Sequence, residues 1–159
     1  MFEAGNILYG YFDLGSNGKK NKYAIVLHND PLECIITTFT TSQPRSSVAS
    51  PVHGRNPSQG EVMSYVFKSG VSIGVNPLSG EFFFFRKDTT IVPDYGVNET
   101  TISSFCSVVD NLRVVCKLHE KEYIDLIYTL YKCKRTKRKY KLIFESILHG
   151  LGGGLSCFL

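Results

Sequence analysis

Residues 5–43 read GNILYGYFDLGSNGKKNKYAIVLHNDPLECIITTFTTSQ. Three short runs within them, 7–12 (ILYGYF), 23–28 (YAIVLH) and 34–39 (CIITTF), are rich in Ile, Val, Thr, Tyr and Phe and are bounded by Gly, Asn, Asp and Pro. That composition at that length predicts strands, because β-branched and aromatic side chains pack well on a pleated, half-buried surface. Between the first two runs, 13–22 (DLGSNGKKNK) reads as a polar loop carrying Lys19, Lys20 and Lys22. Asn29, Asp30 and Pro31 read as a turn, and the third run closes in Thr40, Thr41, Ser42 and Gln43. A cationic loop and a cluster of hydroxyls at a strand end are expected to meet in one pocket.

Residues 44–60 (PRSSVASPVHGRNPSQG) are crowded with Ser, Pro, Gly and Asn and read as a long loop. Runs 61–67 and 71–75 resume the strand pattern, and 76–80 (NPLSG) read as a turn. Four successive phenylalanines, Phe82 to Phe85, put aromatic bulk on both faces of a strand. One face is expected in the core, the other against a helix, a partner or nucleic acid. Residues 89–92 read as a strand, 93–96 as a turn, and 103–109 and 113–118 as the last strands, split by Asp110 and Asn111. Helical spacing follows. Within 119–132 the apolar positions are Tyr123, Ile124, Ile127, Leu130 and Tyr131, with Glu120 and Glu122 in the first turn, where the helix dipole favours acids. Ile143, Phe144, Ile147 and Leu148 make a second stripe, stopped by the glycines of 150–154. Six or seven short strands without an intervening helix, then helix, point to a mainly β fold with C-terminal α: a small antiparallel, partly closed barrel with a helical appendage. One domain is expected over 1–149, the appendage over 119–149, and a Gly-rich tail over 150–159.

A chain of 159 residues buries the core of one domain. With 43% hydrophobic and 20% charged residues, wholesale disorder is excluded. No apolar run reaches about 18 residues, so no transmembrane helix and no membrane partner are expected. The opening MFEAGN lacks the basic and apolar regions of a secretory signal. The five cysteines are odd in number and none forms a CxxC pair, which suits reduced thiols in a cytoplasmic protein with no metal site. No cofactor is implied.

The net charge of +4 is local. Residues 131–141 (YKCKRTKRKYK) hold seven basic residues and no acidic one, so the rest of the chain carries −3. Such a stripe serves a polyanion partner or a solvated helix face. In the first case Lys134, Arg135, Lys137 and Arg138 track phosphates, with Tyr131 and Tyr140 available for stacking. Lys87, beside the Phe run, is a further RNA-contact candidate.

The N-terminal motifs, taken in order, resemble a known family. Gly5-Asn6 precedes an aromatic strand; a Gly-Ser/Lys loop leads into Lys22-Tyr23-Ala24-Ile25-Val26-Leu27; Asn29-Asp30 follows, and the third strand ends in Thr41-Ser42-Gln43. This order is similar to that of the MazF/PemK toxins of bacterial type II toxin–antitoxin systems, closely over the first 43 residues and more loosely beyond. The resemblance implies an SH3-like barrel with a C-terminal helix, acting as a metal-independent endoribonuclease on single-stranded RNA, paired as a homodimer and neutralised by an antitoxin. It places Lys22 where the family has its catalytic arginine and Thr41 at its catalytic threonine. A lysine is a point charge where arginine offers a planar fork, and Lys20 and Lys19 compete for the cationic role. Tyr23 stands where the family has proline.

In such cleavage the ribose 2′-OH attacks the neighbouring phosphorus, and negative charge gathers on the non-bridging oxygens. Lys22 would supply charge there, and Thr41 and Ser42 neutral donors. His53, in the polar loop, is the first candidate for a general base, since an unperturbed imidazole titrates near about 6.5; His28 is the second, with RNA contact as its other role. Plainer readings stand beside these: a solvated lysine, a hydroxyl-capped turn, a surface histidine. Two rival functions also stand: a non-catalytic barrel that binds nucleic acid or protein, and a gyrase-poisoning toxin of the same fold.

Overall fold

The computed structural model describes residues 1–30, 34–43, 50–57, 63–91 and 97–150. Pro31 of the first turn, most of the 44–60 loop, the 93–96 turn and the tail past Gly150 lie outside the described residues. The three N-terminal runs are strands in consecutive antiparallel order: β1 (Asn6–Asp13), β2 (Lys19–Asn29) and β3 (Cys34–Phe39). Gly5 has φ of 91°, which glycine reaches without Cβ strain. There its N–H donates to the Val26 carbonyl at 2.8 Å, and its carbonyl accepts from the Leu118 N–H at 2.9 Å. The start of β1 is thereby held between its two neighbours.

The connection after β1 is shorter than the sequence suggests. A single 3-10 turn, Gly15–Asn17, suffices, and pairing resumes at Asp13 opposite Lys19. Lys19, Lys20 and Lys22 therefore project from a strand. Paired ladder bonds satisfy the backbone here, and polar side chains on an exposed strand end cost little.

The chain continues as β4 (Gly54–Pro57), β5 (Met63–Phe67), β6 (Gly74–Val75), β7 (Phe82–Phe83), β8 (Thr89–Ile91), β9 (Val97–Thr101), α1 (Ile102–Ser107), β10 (Val109–Leu118), α2 (Glu120–Lys132) and α3 (Arg138–Gly150). The strands form two antiparallel sheets. The larger runs β7-β6-β10-β1-β2-β3-β9 and the smaller β4-β5-β8. The fold is mainly β with C-terminal helices, and its strands are divided between two sheets where one small, partly closed barrel was expected. The sheets are tied by an isolated bridge between Thr41 and Thr90.

Two expectations are corrected near the C-terminal strands. Residues 102–107 are helical and interrupt the strand series. The Thr101 side chain caps that helix by accepting from the Ser104 N–H at 3.0 Å, and Phe105 buries against the sheet. β10 also runs straight through Asp110 and Asn111. The turn signal there is a bulge: Tyr9 pairs with Arg113 but Tyr11 with Asp110, and Asn111 takes φ of 57°. Gly10 faces it, where a Cβ would lie 2.5 Å from Val109 Cγ2 and 3.2 Å from the Asp110 carbonyl oxygen.

The large sheet is apolar on both faces. On one, Ile7, Ile25, Leu27, Cys116 and Leu118 pack with Tyr65, Phe67 and Ile91 of the small sheet and with α2 and α3. On the other, Leu8, Phe12, Ala24, Val26 and Ile35 are covered by Phe105 and Phe2. Of the expected stripes, Ile127 and Leu130 of α2 and Phe144 and Leu148 of α3 are buried, joined by Leu126 and Tyr140, while Tyr123, Ile124, Tyr131, Ile143 and Ile147 are only partly buried against the same core. The Phe run alternates as expected: Phe83 and Phe85 turn inward, while Phe82 and Phe84 stay exposed. Among the described residues, no helix is long and apolar enough to cross a membrane.

Candidate functional site

Beyond Phe39 the chain leaves the large sheet for the small one. The Thr40 N–H still donates to Tyr23 of β2, at 3.2 Å. One residue on, the Thr41 N–H donates to the Thr90 carbonyl at 3.0 Å, and the Thr41 carbonyl accepts from the Thr90 N–H at 2.8 Å. The hydroxyl run is thus anchored by its backbone at the seam between sheets. A cavity of 270 Å³ opens at this seam. Tyr9, Lys20, Asn21, Lys22 and Tyr23 wall it from β1 and β2, Thr40 to Gln43 from the seam, and Thr89 from β8. The expected meeting of lysines and hydroxyls is therefore present.

Lys22 is half-buried and its ammonium donates to the Thr40 carbonyl at 3.3 Å, which aims it into the cavity. Burial, and after it the nearby Lys20 ammonium, lower its pKa from the ordinary lysine value. Among the described residues the Lys22 ammonium has one hydrogen-bond acceptor, the Thr40 carbonyl, and an anion that entered would offset both effects. Thr41 Oγ1 accepts from the Gln43 N–H at 3.2 Å, so its own hydrogen remains for a second partner. Ser42 is exposed at the rim. Fixed ammonium and hydroxyl groups, positioned by backbone bonds made without a ligand, suit a phosphate-sized anion.

His53 does not belong to this group. It sits beside β4, where its Nε2 bonds to Glu122 of α2 and its Nδ1 accepts from the Lys68 N–H at 3.1 Å. Tyr65 donates its hydroxyl to the other Glu122 oxygen. Burial first, and then the hydrogen bond and charge of Glu122, push the Tyr65 hydroxyl far above the ordinary tyrosine value. His53, the first candidate for a general base, has both ring nitrogens engaged and stands outside the cavity wall. Glu122, in the first turn of α2, was legible as a dipole acid; its partners 57 and 69 residues away were not.

The remaining candidates are dispersed. Lys19 is exposed opposite Asp13, outside the cavity wall. His28 pairs with Ile36 farther along β2, also outside it. Lys87 is exposed in the β7–β8 connection, where its carbonyl accepts from the Thr89 hydroxyl at 2.9 Å. Lys134, Arg135, Lys137 and Arg138 are exposed around the α2–α3 connection, which is a tight turn and not a helix face. Buried Thr136 anchors that turn, its hydroxyl donating to the Leu130 carbonyl at 2.6 Å. Six lining residues were not among the site candidates, Asn21, Thr40, Gln43 and Thr89 and the two rings Tyr9 and Tyr23. The rings had a signal in parity: each lies two positions from a core isoleucine, Ile7 or Ile25, on the same face. No family model, curated protein or solved structure matches the chain.

Proposed function

We propose that the chain is a MazF/PemK-like toxin with an SH3-like core that cleaves single-stranded RNA at the Lys22–Thr41 cavity. One observation carries the reading: Lys20, Lys22, Thr41 and Ser42 share one cavity, although they come from β2 and from the end of β3. In this reading the 2′-oxygen forms a bond to phosphorus as the bond to the 5′-oxygen breaks, leaving a 2′,3′-cyclic phosphate and a 5′-hydroxyl. Lys22 and Lys20 hold the charge that grows on the non-bridging oxygens, and Thr41 and Ser42 donate to them. The cavity wall carries no imidazole or carboxylate among the described residues, so solvent takes the 2′-OH proton and returns one to the 5′-oxygen. An antitoxin that covers the cavity would neutralise the protein, and a second copy would pair with it.

A second reading, phosphate-backbone binding without cleavage, is favoured by the position of His53, whose ring nitrogens are engaged elsewhere. One experiment separates the two. The protein, Thr41→Ala and Lys22→Ala are incubated with a mixed single-stranded RNA. Fragments ending in 2′,3′-cyclic phosphate are expected from the wild type, with a loss of about 10²–10³ in rate for each variant. Intact RNA together with Lys22-dependent binding would replace the nuclease by the binding module.

A further inference from the structure

Beside the cavity, three side chains from three adjacent strands line up. Tyr9 of β1 pairs directly with Tyr23 of β2 on one side and with Arg113 of β10 on the other. The Tyr9 and Tyr23 rings lie 4.6 Å apart at 47°, and the Arg113 guanidinium sits 4.9 Å over the Tyr9 ring. Tyr23 is braced from behind by Phe85 at 5.0 Å and Phe83 at 6.2 Å, both edge-on. The same sheet face one step inward carries Ile7 and Ile25, both fully buried. Here the rings are half-buried and both tyrosines wall the cavity, while Arg113 is exposed. The core face thus emerges from the core as an aromatic step, ending in an exposed planar cation.

We propose that Tyr9 and Arg113 form a nucleobase-stacking subsite that accompanies the phosphate cavity; this rests on the RNA reading above. Single-stranded RNA is recognised by unstacked bases laid on aromatic rings or guanidinium planes, with cation–π contributions from arginine. Tyr9, Lys22 and Tyr23 all wall the same cavity, so one nucleotide reaches both its phosphate donors and its ring. At 270 Å³ the cavity lies just below the about 300–1,000 Å³ of pockets for drug-sized ligands. Braced Tyr23 keeps the Tyr9 ring from collapsing into the cavity. Arg113 caps the ring when the site is empty and passes to the base when it is filled.

The test is fluorescence anisotropy with a short RNA oligomer, 2′-O-methylated throughout so that it is not cleaved, against the same oligomer made of abasic nucleotides. The wild type is expected to prefer the base-bearing oligomer about tenfold, the order of one stacked base. Tyr9→Leu and Arg113→Lys should each shrink that preference toward unity. Arg113→Lys keeps the charge but removes the plane, and being on an exposed side chain it serves even where Tyr9→Leu does not fold. Lys22→Ala should weaken both oligomers equally. A wild type that binds both oligomers alike through Lys22 overturns the stacking subsite and leaves the phosphate cavity standing. A wild type that binds neither overturns both.

Discussion

Two polar clusters lie against the small sheet, and they are built oppositely. At Glu122 every group is satisfied from within: the carboxylate takes Tyr65 on one oxygen and His53 on the other, and the second His53 nitrogen takes a backbone N–H. At Lys22 two lysines and a run of hydroxyl side chains surround a cavity, and among the described residues one backbone carbonyl accepts from the Lys22 ammonium. Internal satisfaction is the mark of a strut, since a buried network with all partners made rigidifies what it joins. Donors with capacity to spare around a cavity are the mark of a site. A histidine's presence in a polar segment does not decide which of the two it serves; its partners do.

The largest effect should fall on the strut. Glu122→Ala leaves the Tyr65 hydroxyl, on a residue 1% exposed, and the His53 Nε2 without their acceptor. Leaving a buried donor without its acceptor typically costs about 1–3 kcal/mol, and the urea midpoint should fall accordingly at unchanged slope. A loss below about 1 kcal/mol would reduce the cluster to the rank of a surface pair. His53→Gln provides the matching negative: RNA cleavage per folded molecule is expected at the wild-type rate. Cleavage abolished in a folded His53→Gln protein would return the histidine to the site and break the comparison.

A smaller effect, in pH, should separate folding from binding at the cavity. Lys22 has its pKa lowered by burial and by Lys20. In the window between that lowered value and the ordinary one, the unfolded chain binds the proton and the folded chain does not, so the contribution of Lys22 to stability rises with pH there. Affinity for an RNA phosphate runs the other way, because it needs the ammonium and falls as pH rises through the same window. Subtracting the profiles of Lys22→Met from those of the wild type isolates both slopes. Parallel slopes would show that Lys22 is a plain surface lysine.

The order β1-β2-β3 was legible because those runs carry β-branched and aromatic residues between strong turn signals, and with it came the joining of Lys22 to Thr41. What stayed hidden had physical causes. The ISSFCS of 102–107 has poor helix formers, and its helix depends on the Thr101 cap and on Phe105 finding the sheet. Asp110 and Asn111 carry a turn signal, yet a bulge uses the same left-handed tolerance that a turn does. The short β4 lies in a segment of loop composition and is held as a strand by its pairing with β5. His53 was placed by a contact across 69 residues, which local pattern does not encode.

The smallest expected effect concerns the basic stripe, the region that is neither strut nor cavity. Part of its charge is already engaged on the chain: Lys139 pairs with Glu99 at 2.8 Å, and Lys132 lies 5.9 Å over the Tyr128 ring. Arg135, Lys137 and Arg138 crowd a turn anchored by Thr136, so their charges are held at one place on the surface. A long RNA that fills the cavity and continues across this turn would release counterions at both. Changing the three to glutamine should therefore flatten the log–log dependence of binding on salt by about 0.7 for each phosphate that is no longer neutralised. The affinity of a short oligomer that reaches only the cavity should not move. A slope that is unaltered for the long RNA would make the stripe a solvated connection between helices, and would leave the Lys22 cavity to account for the binding charge alone.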